Sequence, residues 1–539
     1  MSLVVACGIC LFAADPAAMA EGERPKLERG ELSRLRKEGA NRPRRILYND
    51  DGCDGRPYTT PEELISLRVR QVANTQVDTI CYCTGGGGLF WAHQPKVGEV
   101  LGDWIEESHA PYVKQMRDGL IALKKEGTDP LALVVDYAHN NHMEVFWSYR
   151  MNNPECSYVS WALSRRKREH PEYLMGDKSQ WDHTRQTDPR AWWSLWDFEK
   201  PEVRDYIVRI FEDVCQRYDI DGIELDFIRH PLFFRPNLDG LPAEPKHVAM
   251  MTEMVRRIRA VTERESMKRG RPILVSVRAP LSVKSCMDIG LDIQAFLEEG
   301  LMDIMIAGQD YIQMAVASSL KDMVDLGHEH QVPVYALLVP AKPYTLYMHD
   351  NRAWCGAAMN RFYWGADGIY LFNLFPAEPN ELFSQLGSVK SLKGRDKIYA
   401  IDNPTYESVL GTFKMVMVGP DRLPVTVVPG EYVTAKLPVG EDIVANTPSG
   451  KTVSALLRLG LANMDESDTI LVRFNGNPQT LTGPVEPPVD IPGGTWFQID
   501  VDPRLVQPGH NRIDLQLSTD RTVGKQVVLD FLDLVITYN

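Results

Sequence analysis

Two carboxylates at alternating positions of one short segment are the residues best suited to catalysis. In residues 223–227, Glu224 and Asp226 alternate with isoleucine, leucine and phenylalanine. Because successive side chains of a strand point to opposite faces, this pattern predicts a strand with both carboxylates on one face. Two buried carboxylates are costly to desolvate unless they are paired or used in chemistry. Arg229 and His230 follow at once, and carboxylates at the end of a strand, with a charged loop behind them, are typical of a β/α-barrel active site.

Polar side chains also follow the other predicted strands, and they would meet Glu224 and Asp226 at one end of a parallel sheet. They are Asp50, Asp51, Arg150, Asn152, Arg278, Gln309, Asp310 and Asn373, and the aromatic residues Trp147, Tyr149 and Tyr311 flank them. Carboxylates and amides bind hydroxyl groups, whereas aromatic rings stack on the C–H faces of sugar rings. The set therefore predicts a polar cleft with stacking surfaces, which would suit a carbohydrate.

Hydrolysis of a glycosidic bond requires two carboxyl groups that flank the bond, roughly 5–5.5 Å apart for retention and roughly 6.5–9.5 Å apart for inversion. We predict Asp226 as the nucleophile or general base, because it lies nearest the end of its strand. Asp310 follows a later strand and is the predicted general acid, with a loop cap as the alternative. Glu224 lies about 7 Å from Asp226 along a strand and could complete the pair. Otherwise it forms a buried ion pair with an arginine such as Arg150 or Arg278.

Three arginines, Arg150, Arg229 and Arg278, each follow a predicted strand. Arginine binds carboxylate and sulfate groups in a bidentate manner, which would suit a uronic or sulfated sugar. Charge balance for the neighbouring acidic residues is the competing explanation.

His230 is a candidate proton shuttle, hydroxyl ligand or metal ligand. A metal-assisted hydrolase that uses Asp226, His230 and Asp50 is therefore a further alternative. Because no second histidine lies at ligand spacing, we predict neither a metal nor a cofactor.

Eight short apolar segments between residues 43 and 394 alternate with helix-like stretches, and each segment is followed by polar residues. Alternating strands and helices predict parallel strands joined by right-handed crossovers. Eight such repeats predict an α/β fold of the (β/α)8 TIM-barrel type, in which the residues that trail the strands share one rim. A doubly wound open sheet is the alternative, but the first strand lacks the glycine fingerprint that usually accompanies that fold.

After about residue 395 the helical periodicity ends. Short alternating segments follow, separated by turn signals such as Asn475-Gly476. Residues 395–539 are therefore predicted to form a C-terminal all-β sandwich of the jelly-roll type. Such modules either bind sugars or pack against a catalytic barrel.

Charge and composition exclude some partners and bear on the compartment. The chain has 539 residues and a net charge of −14, which argues against nucleic acid or an anionic membrane as the main partner.

Residues 1–20 form an apolar run ending in Ala18-Met19-Ala20, which is the small-x-small pattern of a signal peptide, although a basic n-region is missing. Residues 21–42 are highly charged and predict a lead-in helix or a disordered arm. No other apolar run reaches the roughly 20 residues of a membrane helix. We therefore predict a secreted or periplasmic protein, and the sequence leaves the oligomeric state open.

The middle of the chain shares motifs with two known families. Asp221-Gly-Ile-Glu-Leu-Asp226 resembles the strand-four signature of family 18 chitinases, but Ile228 occupies the position of their catalytic glutamate. The run Pro201-Glu-Val-Arg-Asp-Tyr206, the same strand and Pro231 are similar to a family-10-like uncharacterised group of glycoside-hydrolase-like barrels. This second resemblance covers the central third of the chain. It implies a secreted bacterial carbohydrate-active enzyme, and Asp226 falls on that group's strand-end aspartate.

These patterns together predict a secreted glycoside hydrolase that cleaves a poly- or oligosaccharide, with a sulfated or uronic sugar as one expectation for the substrate. A non-catalytic carbohydrate-binding protein on a degenerate glycosidase barrel is the alternative. The isoleucine at position 228, where the chitinases have their glutamate, motivates this alternative.

Overall fold

The computed structural model describes residues 27–53, 58–103, 111–155, 163–180, 189–308, 318–339, 350–374, 381–401, 423–486, 494–518 and 525–539. The predicted signal peptide, residues 1–20, lies outside these stretches. The candidate site residues Gln309, Asp310 and Tyr311 also lie outside them, so their roles stay predictions.

Parallel strands form a closed barrel in the first part of the chain. They are β1 (Ile46–Asp50), β2 (Val77–Gly86), β3 (Glu144–Arg150), β4 (Gly222–Asp226), β5 (Leu274–Ala279), β6 (Ile304–Ala307), β7 (Val334–Leu338) and β8 (Gly368–Phe372). Each strand pairs in parallel with the next, and β8 pairs with β1. Two short strands, Leu89–Phe90 and Glu99–Val100, extend the sheet beyond the end of β2. The predicted TIM barrel is confirmed, and closure of the sheet excludes the open doubly wound alternative.

The register between neighbouring strands determines which site residues meet. Glu224 on β4 lies opposite Ser148 on β3. Asp226, two residues further along β4, lies opposite Arg150 on β3 and Arg278 on β5. Because directly opposite residues of adjacent strands point to the same face, the register places an arginine on each side of Asp226.

Helices connect the strands, as the alternating pattern predicts. They are α1 (Arg29–Ala40), α2 (Pro61–Arg68), α3 (Pro111–Lys125), α4 (Pro130–Asn140), α5 (Arg165–Glu169), α6 (Pro201–Arg217), α7 (Arg235–Leu238), α8 (Pro245–Arg269), α9 (Val283–Asp288), α10 (Ile293–Glu298), α11 (Ser318–Glu329), α12 (Asn351–Tyr363), α13 (Leu382–Gln385) and α14 (Val389–Leu392). Short 3-10 helices cover Arg70–Val72, Pro171–Tyr173, Lys178–Gln180, Pro189–Trp192 and Pro503–Leu505. Helix α6 leads into β4, begins with a proline and buries an apolar face that includes Ile207, Phe211 and Val214. Among the described helices, none combines the length and the apolar character that crossing a membrane requires.

Two antiparallel sheets follow the barrel along the chain. One contains β9 (Lys397–Ala400), β10 (Val425–Val427), β12 (Val453–Ala462), β15 (Thr482–Val485), β16 (Gly494–Val501) and β18 (Val527–Tyr538), and the other contains β11 (Val433–Val439), β13 (Ile470–Phe474), β14 (Asn477–Gln479) and β17 (Gly509–Leu517). The all-β character predicted for this part of the chain is confirmed. The boundary at residue 395 stays a prediction.

Candidate active site

Strand β4 presents two acidic side chains to the interior of the barrel. The strand begins at Gly222. A Cβ atom added there would lie 2.8 Å from the ring of Phe146, so the interior is densely packed at that depth. Glu224, the next residue on this face, is 0% exposed, and Asp226 at the end of the strand is 2% exposed. The hydroxyl group of Tyr370 on β8 lies 2.9 Å from the carboxyl group of Glu224. Because β8 is on the opposite side of the barrel from β4, this contact identifies the acidic face as the inner one.

Asp226 is held by partners on both of its carboxylate oxygens. Oδ1 accepts hydrogen bonds from the backbone N–H groups of Ile228 at 2.9 Å and Arg229 at 3.0 Å. Oδ2 accepts a hydrogen bond from Nη1 of Arg278 at 3.0 Å, in an ion pair with almost no exposed surface. Hydrogen-bond donors and a nearby cation both favour the ionised carboxylate. Asp226 is therefore a fixed, charged group at the mouth of the barrel.

Glu224 lies one layer deeper and has no ion pair with an arginine in the described structure. Its Oε1 accepts hydrogen bonds from the hydroxyl groups of Ser148 at 2.6 Å and Tyr370 at 2.9 Å. Burial, followed by the charge of Asp226, raises the pKa of Glu224 to about 7. The predicted ion pair of Glu224 with an arginine is wrong, because the strand register places the arginines one layer higher, level with Asp226.

A further carboxylate at the mouth belongs to Asp51, not to Asp50. Oδ2 of Asp51 accepts hydrogen bonds from Nη2 of Arg150 at 2.9 Å and from Nδ2 of Asn373 at 3.1 Å. Asp50 points to the other face of β1, where it forms a buried ion pair with Arg68 of α2 at 3.3 Å. The predicted contribution of Asp50 to a substrate site is therefore wrong, because its side chain faces the surrounding helices.

Asn152, in the loop after β3, uses its whole side chain to hold backbone groups. Nδ2 donates to the carbonyl oxygens of Trp196 and Leu232, both at 2.9 Å. Oδ1 accepts hydrogen bonds from the N–H groups of Asn153 and Trp196, both at 3.0 Å. Because a side-chain amide has two donors and one oxygen with two lone pairs, the hydrogen-bonding capacity of Asn152 is filled. The predicted role of Asn152 in binding sugar is therefore wrong, and the residue instead joins three loops at the mouth.

His230 lies beside this loop junction with a defined tautomer. Its Nδ1 is 3.0 Å from the carbonyl oxygen of Asn152, so Nδ1 carries the proton because a carbonyl can only accept. The ring packs edge-on against Trp192 with a centroid distance of 5.0 Å. Burial, with the charges of Arg229 and Arg150, lowers the pKa of His230 well below its usual value. The ring is therefore neutral and presents Nε2 as an acceptor, which fits a hydroxyl ligand better than a proton shuttle.

Trp147 and Tyr149 point away from the interior of the barrel. Both are 0% exposed, and both rings pack against Phe211 of α6 with centroid distances of 5.2 Å. Nε1 of Trp147 donates to Oγ1 of Thr84 at 2.7 Å. The prediction that Trp147 stacks on a sugar is wrong, because the alternation along β3 that points Arg150 inward points Trp147 toward the helices.

The arginines at the mouth lie against aromatic rings. The guanidinium of Arg278 is 4.0 Å from the ring centroid of Phe372, and that of Arg150 is 5.1 Å from the ring centroid of Trp91. Both also pair with carboxylates, which supports charge balance as the reason for their presence. The backbone N–H of Arg229 donates a hydrogen bond to Asp226, and the side chain of Arg229 is partly exposed.

Five residues that the structure places at the site were not predicted from the sequence: Ser148, Asn49, Tyr370, Phe372 and Trp91. Tyr370 and Phe372 share a face of β8, and Ser148 shares a face of β3 with Arg150, so the strand period was the signal that could have found them. Trp91 lies in the loop after Phe90, outside the strand pattern.

Within the described residues, no group of three or more histidine, cysteine and acidic side chains could hold a metal ion. The three residues of the metal-assisted alternative do not gather, because Asp50 faces α2 while Asp226 and His230 lie at the mouth.

Residues 105–234 match the family model described as "Glycosyl hydrolase-like 10". This range includes β3 and β4, and with them Arg150, Glu224 and Asp226. The resemblance to the family-10-like group is confirmed, and the enzyme class that the matched region indicates is glycoside hydrolase. No curated protein matches the sequence.

Solved structures with a similar backbone include several glycoside hydrolases. Alpha-L-fucosidase isoenzyme 2 from Paenibacillus thiaminolyticus has a TM-score of 0.39 at 12% identity, and the match covers 65% of this chain and 49% of that one. The glycoside hydrolase domain of PgaB (BpsB) from Bordetella bronchiseptica has a TM-score of 0.35 at 10% identity, over 65% of this chain and 99% of that one. A chitinase from Chromobacterium violaceum has a TM-score of 0.33 at 10% identity, over 64% and 98% of the two chains. This chain thus spans about half the length of the fucosidase.

Proposed function

We propose that the protein is a glycoside hydrolase that cleaves a glycosidic bond of an oligo- or polysaccharide at the mouth of the barrel. The pair of carboxyl groups on the inner face of β4 carries this proposal. Asp226 accepts hydrogen bonds from Arg278 and two backbone N–H groups, which favour its charged form. Glu224 is buried beneath it, and burial raises its pKa to about 7. Acidic groups whose environments differ in this way are typical of sites that perform acid and base catalysis.

In the proposed reaction Asp226 acts either as a base that takes a proton from the water attacking the anomeric carbon, or as a nucleophile that bonds to the anomeric carbon and is released when water hydrolyses the glycosyl ester. A second carboxyl group gives its proton to the glycosidic oxygen as the bond between that oxygen and the anomeric carbon breaks. Asp310 remains the predicted acid. Glu224, which carries a proton near neutral pH, is the alternative.

The contacts of the arginines bear on the substrate. Arg150 donates to Asp51 and Arg278 donates to Asp226, so each of these cations already binds a carboxylate of the chain. This favours a neutral sugar over a sulfated or uronic one. We also propose that residues 43–394 form the catalytic unit, and that the protein is exported through the signal-like residues 1–20.

The test is hydrolysis of aryl glycosides and of neutral, uronic and sulfated polysaccharides, followed by release of nitrophenol or of reducing ends. For a substrate that wild type hydrolyses, Asp226→Asn should lower kcat by about 10²–10⁴-fold. Glu144→Gln is the matched control, because Glu144 is a largely buried carboxylate at the start of β3, at the opposite end of the barrel from Asp226, and pairs with Arg44 at 2.7 Å. This control should lose stability while it keeps most of kcat. Undiminished turnover by Asp226→Asn would reject the assignment.

A carbohydrate-binding protein without hydrolytic activity is the second candidate. Ile228, at the position of the chitinase glutamate, is 3% exposed and apolar, and Glu224 is fully buried. Calorimetric binding of an oligosaccharide, with no release of reducing ends from any member of the panel, would favour this candidate.

A further inference from the structure

The carboxyl group of Glu224 ends a chain of hydrogen bonds that runs across the barrel. Nδ2 of Asn49 on β1 donates to Oγ of Ser148 at 3.4 Å. Oγ of Ser148 donates to Oε1 of Glu224 at 2.6 Å, and the hydroxyl group of Tyr370 donates to the same oxygen at 2.9 Å. A serine hydroxyl has one proton, and the acceptor that the described residues provide for it is Oε1 of Glu224, so this proton points to Glu224. Oε1 therefore accepts two hydrogen bonds, which disfavours a proton of its own on this oxygen.

The second oxygen, Oε2, has a different environment. It is buried and accepts no hydrogen bond from any described residue. The thiol of Cys81 lies near Glu224, but a thiol is only a weak donor. A negative charge on Oε2 would be costly because no strong donor among the described residues solvates it, whereas a proton on Oε2 makes the group neutral.

We propose that Ser148 and Tyr370 are positioning residues that direct the proton of Glu224 to Oε2, while burial and the neighbouring charge of Asp226 keep the group neutral. The buried pair of Glu224 and Asp226 then carries a single negative charge, which resides on Asp226. This inference rests on the proposed function, in which Asp226 reacts as an ionised carboxylate.

Repulsion between the two acidic groups gives the physical reason for this arrangement. Glu224 and Asp226 occupy alternate positions of one strand and have almost no exposed surface, so ionising both is unfavourable. Asp226 has Arg278 and two backbone N–H groups as donors. Glu224 receives hydrogen bonds from two neutral hydroxyl groups, and the Cys81 thiol and the more distant charge of Arg278 favour its ionised form less than burial and Asp226 oppose it. The shared proton therefore resides on Glu224, in agreement with the direction in which burial shifts its pKa.

Infrared difference spectroscopy during a pH titration detects the C=O stretch of a protonated carboxyl group without any substrate. We expect a band that disappears with a midpoint near pH 7 as the pH rises. The band should be missing from Glu224→Gln. The absence of such a band from wild type, or its persistence in Glu224→Gln, would overturn the assignment of the proton.

Tyr370→Phe tests the positioning role. The substitution removes one donor to Oε1, and the ionised form loses more from this than the neutral form, so the midpoint should rise by roughly 0.5–1 pH unit. Ser148→Ala should shift the midpoint in the same direction. Tyr335→Phe is the matched control, because Tyr335 is an equally buried tyrosine on the adjacent strand β7, opposite Gly368. A midpoint that stays unchanged in both Tyr370→Phe and Ser148→Ala would overturn the proposal.

Turnover of the aryl glycoside that wild type hydrolyses fastest links the proton to the reaction. In wild type, kcat/KM should fall at high pH with the same midpoint as the infrared band. In Tyr370→Phe both midpoints should shift together, while kcat falls by about tenfold or less. A limb that stays in place while the infrared midpoint moves would overturn the link to catalysis. If wild type hydrolyses nothing, the proposed function fails, whereas the infrared titration still decides where the proton resides.

Discussion

Asp226 and Arg278 form a buried ion pair between adjacent strands at the mouth of the barrel. Oδ2 and Nη1 are 3.0 Å apart, and the two side chains are 2% and 0% exposed. The backbone register places the residues directly opposite each other on β4 and β5. Truncating one member of such a pair leaves the other charge buried without compensation, at a cost of about 3–5 kcal/mol. The pair therefore fixes both the position and the charge of the proposed reacting carboxylate.

Replacing Arg278 with methionine should lower the free energy of unfolding at neutral pH by about 3–5 kcal/mol, measured by urea denaturation. Part of this loss should return in the double variant Arg278→Met/Asp226→Asn, because the charge of Asp226 is then no longer left unpaired. A loss below about 1 kcal/mol in the single variant, or no recovery in the double variant, would show that the pair does not stabilise the charge of Asp226.

Replacing Glu224 with glutamine should stabilise the protein increasingly as the pH rises. Burial raises the pKa of Glu224 in the folded protein to about 7, above its usual 4.5. Between these values the unfolded chain binds fewer protons than the folded protein, so this group lowers the stability of wild type as the pH increases. Glutamine does not titrate, so the unfolding free energy of Glu224→Gln relative to wild type should grow across this interval by roughly 3 kcal/mol. Denaturation curves at several pH values measure the difference, and a difference that does not change with pH would contradict the pKa shift.

Replacing Asn152 with alanine should loosen the mouth of the barrel. The substitution removes four hydrogen bonds and leaves buried backbone groups of Trp196 and Leu232 without partners. We expect a loss of about 2–4 kcal/mol in the free energy of unfolding. Asn41→Ala is the control, because the contact described for the exposed side chain of Asn41 is a hydrogen bond to Lys37 in the preceding helix, so the loss should stay within about 0.5 kcal/mol. Comparable losses in the two variants would contradict the role of Asn152 as a loop junction.

Most of the fold could be predicted because each barrel strand is a short apolar run bounded by turn residues and helices. Strand β11 is harder to recognise in the sequence, for a physical reason. It contains Lys436 and Pro438, and proline interrupts the strand pattern. The structure places β11 at the edge of its sheet, where a proline is tolerated because one side of the strand has no neighbouring strand to receive an N–H.

The site was predicted less well, because strands that are buried on both faces conceal which face is the inner one. All residues of β1 are buried, so nothing in the sequence distinguishes the inward Asp51 from the outward Asp50. Strand β3 did contain usable information, because an inward Arg150 requires an outward Trp147. The contacts of Asn152 depend on loops that are distant in the sequence, and no local pattern reveals them.

A pH-dependent anchor holds the beginning of β4 and, through it, the acidic pair. Asp221 accepts hydrogen bonds from Nε2 of His139 at 2.9 Å, from the N–H of Val145 at 2.8 Å and from Nη1 of Arg271 at 2.9 Å. The hydrogen bond with Asp221 is the main reason that the pKa of His139 is raised.

A group whose pKa is raised by folding stabilises the protein fully below its pKa in the unfolded chain, about 6.5 for histidine, and loses this contribution as the pH rises through the pKa in the folded protein. The destabilisation caused by His139→Gln should therefore be larger at about pH 6 than at about pH 9. It should stay below about 1 kcal/mol, because His139 is 32% exposed and solvent screens the pair. Urea denaturation of wild type and His139→Gln at both pH values measures this effect. His330→Gln is the histidine control, because the contact described for His330 is a backbone hydrogen bond to Gly327. An equal destabilisation by His139→Gln at both pH values would show that the charge of His139 does not anchor β4.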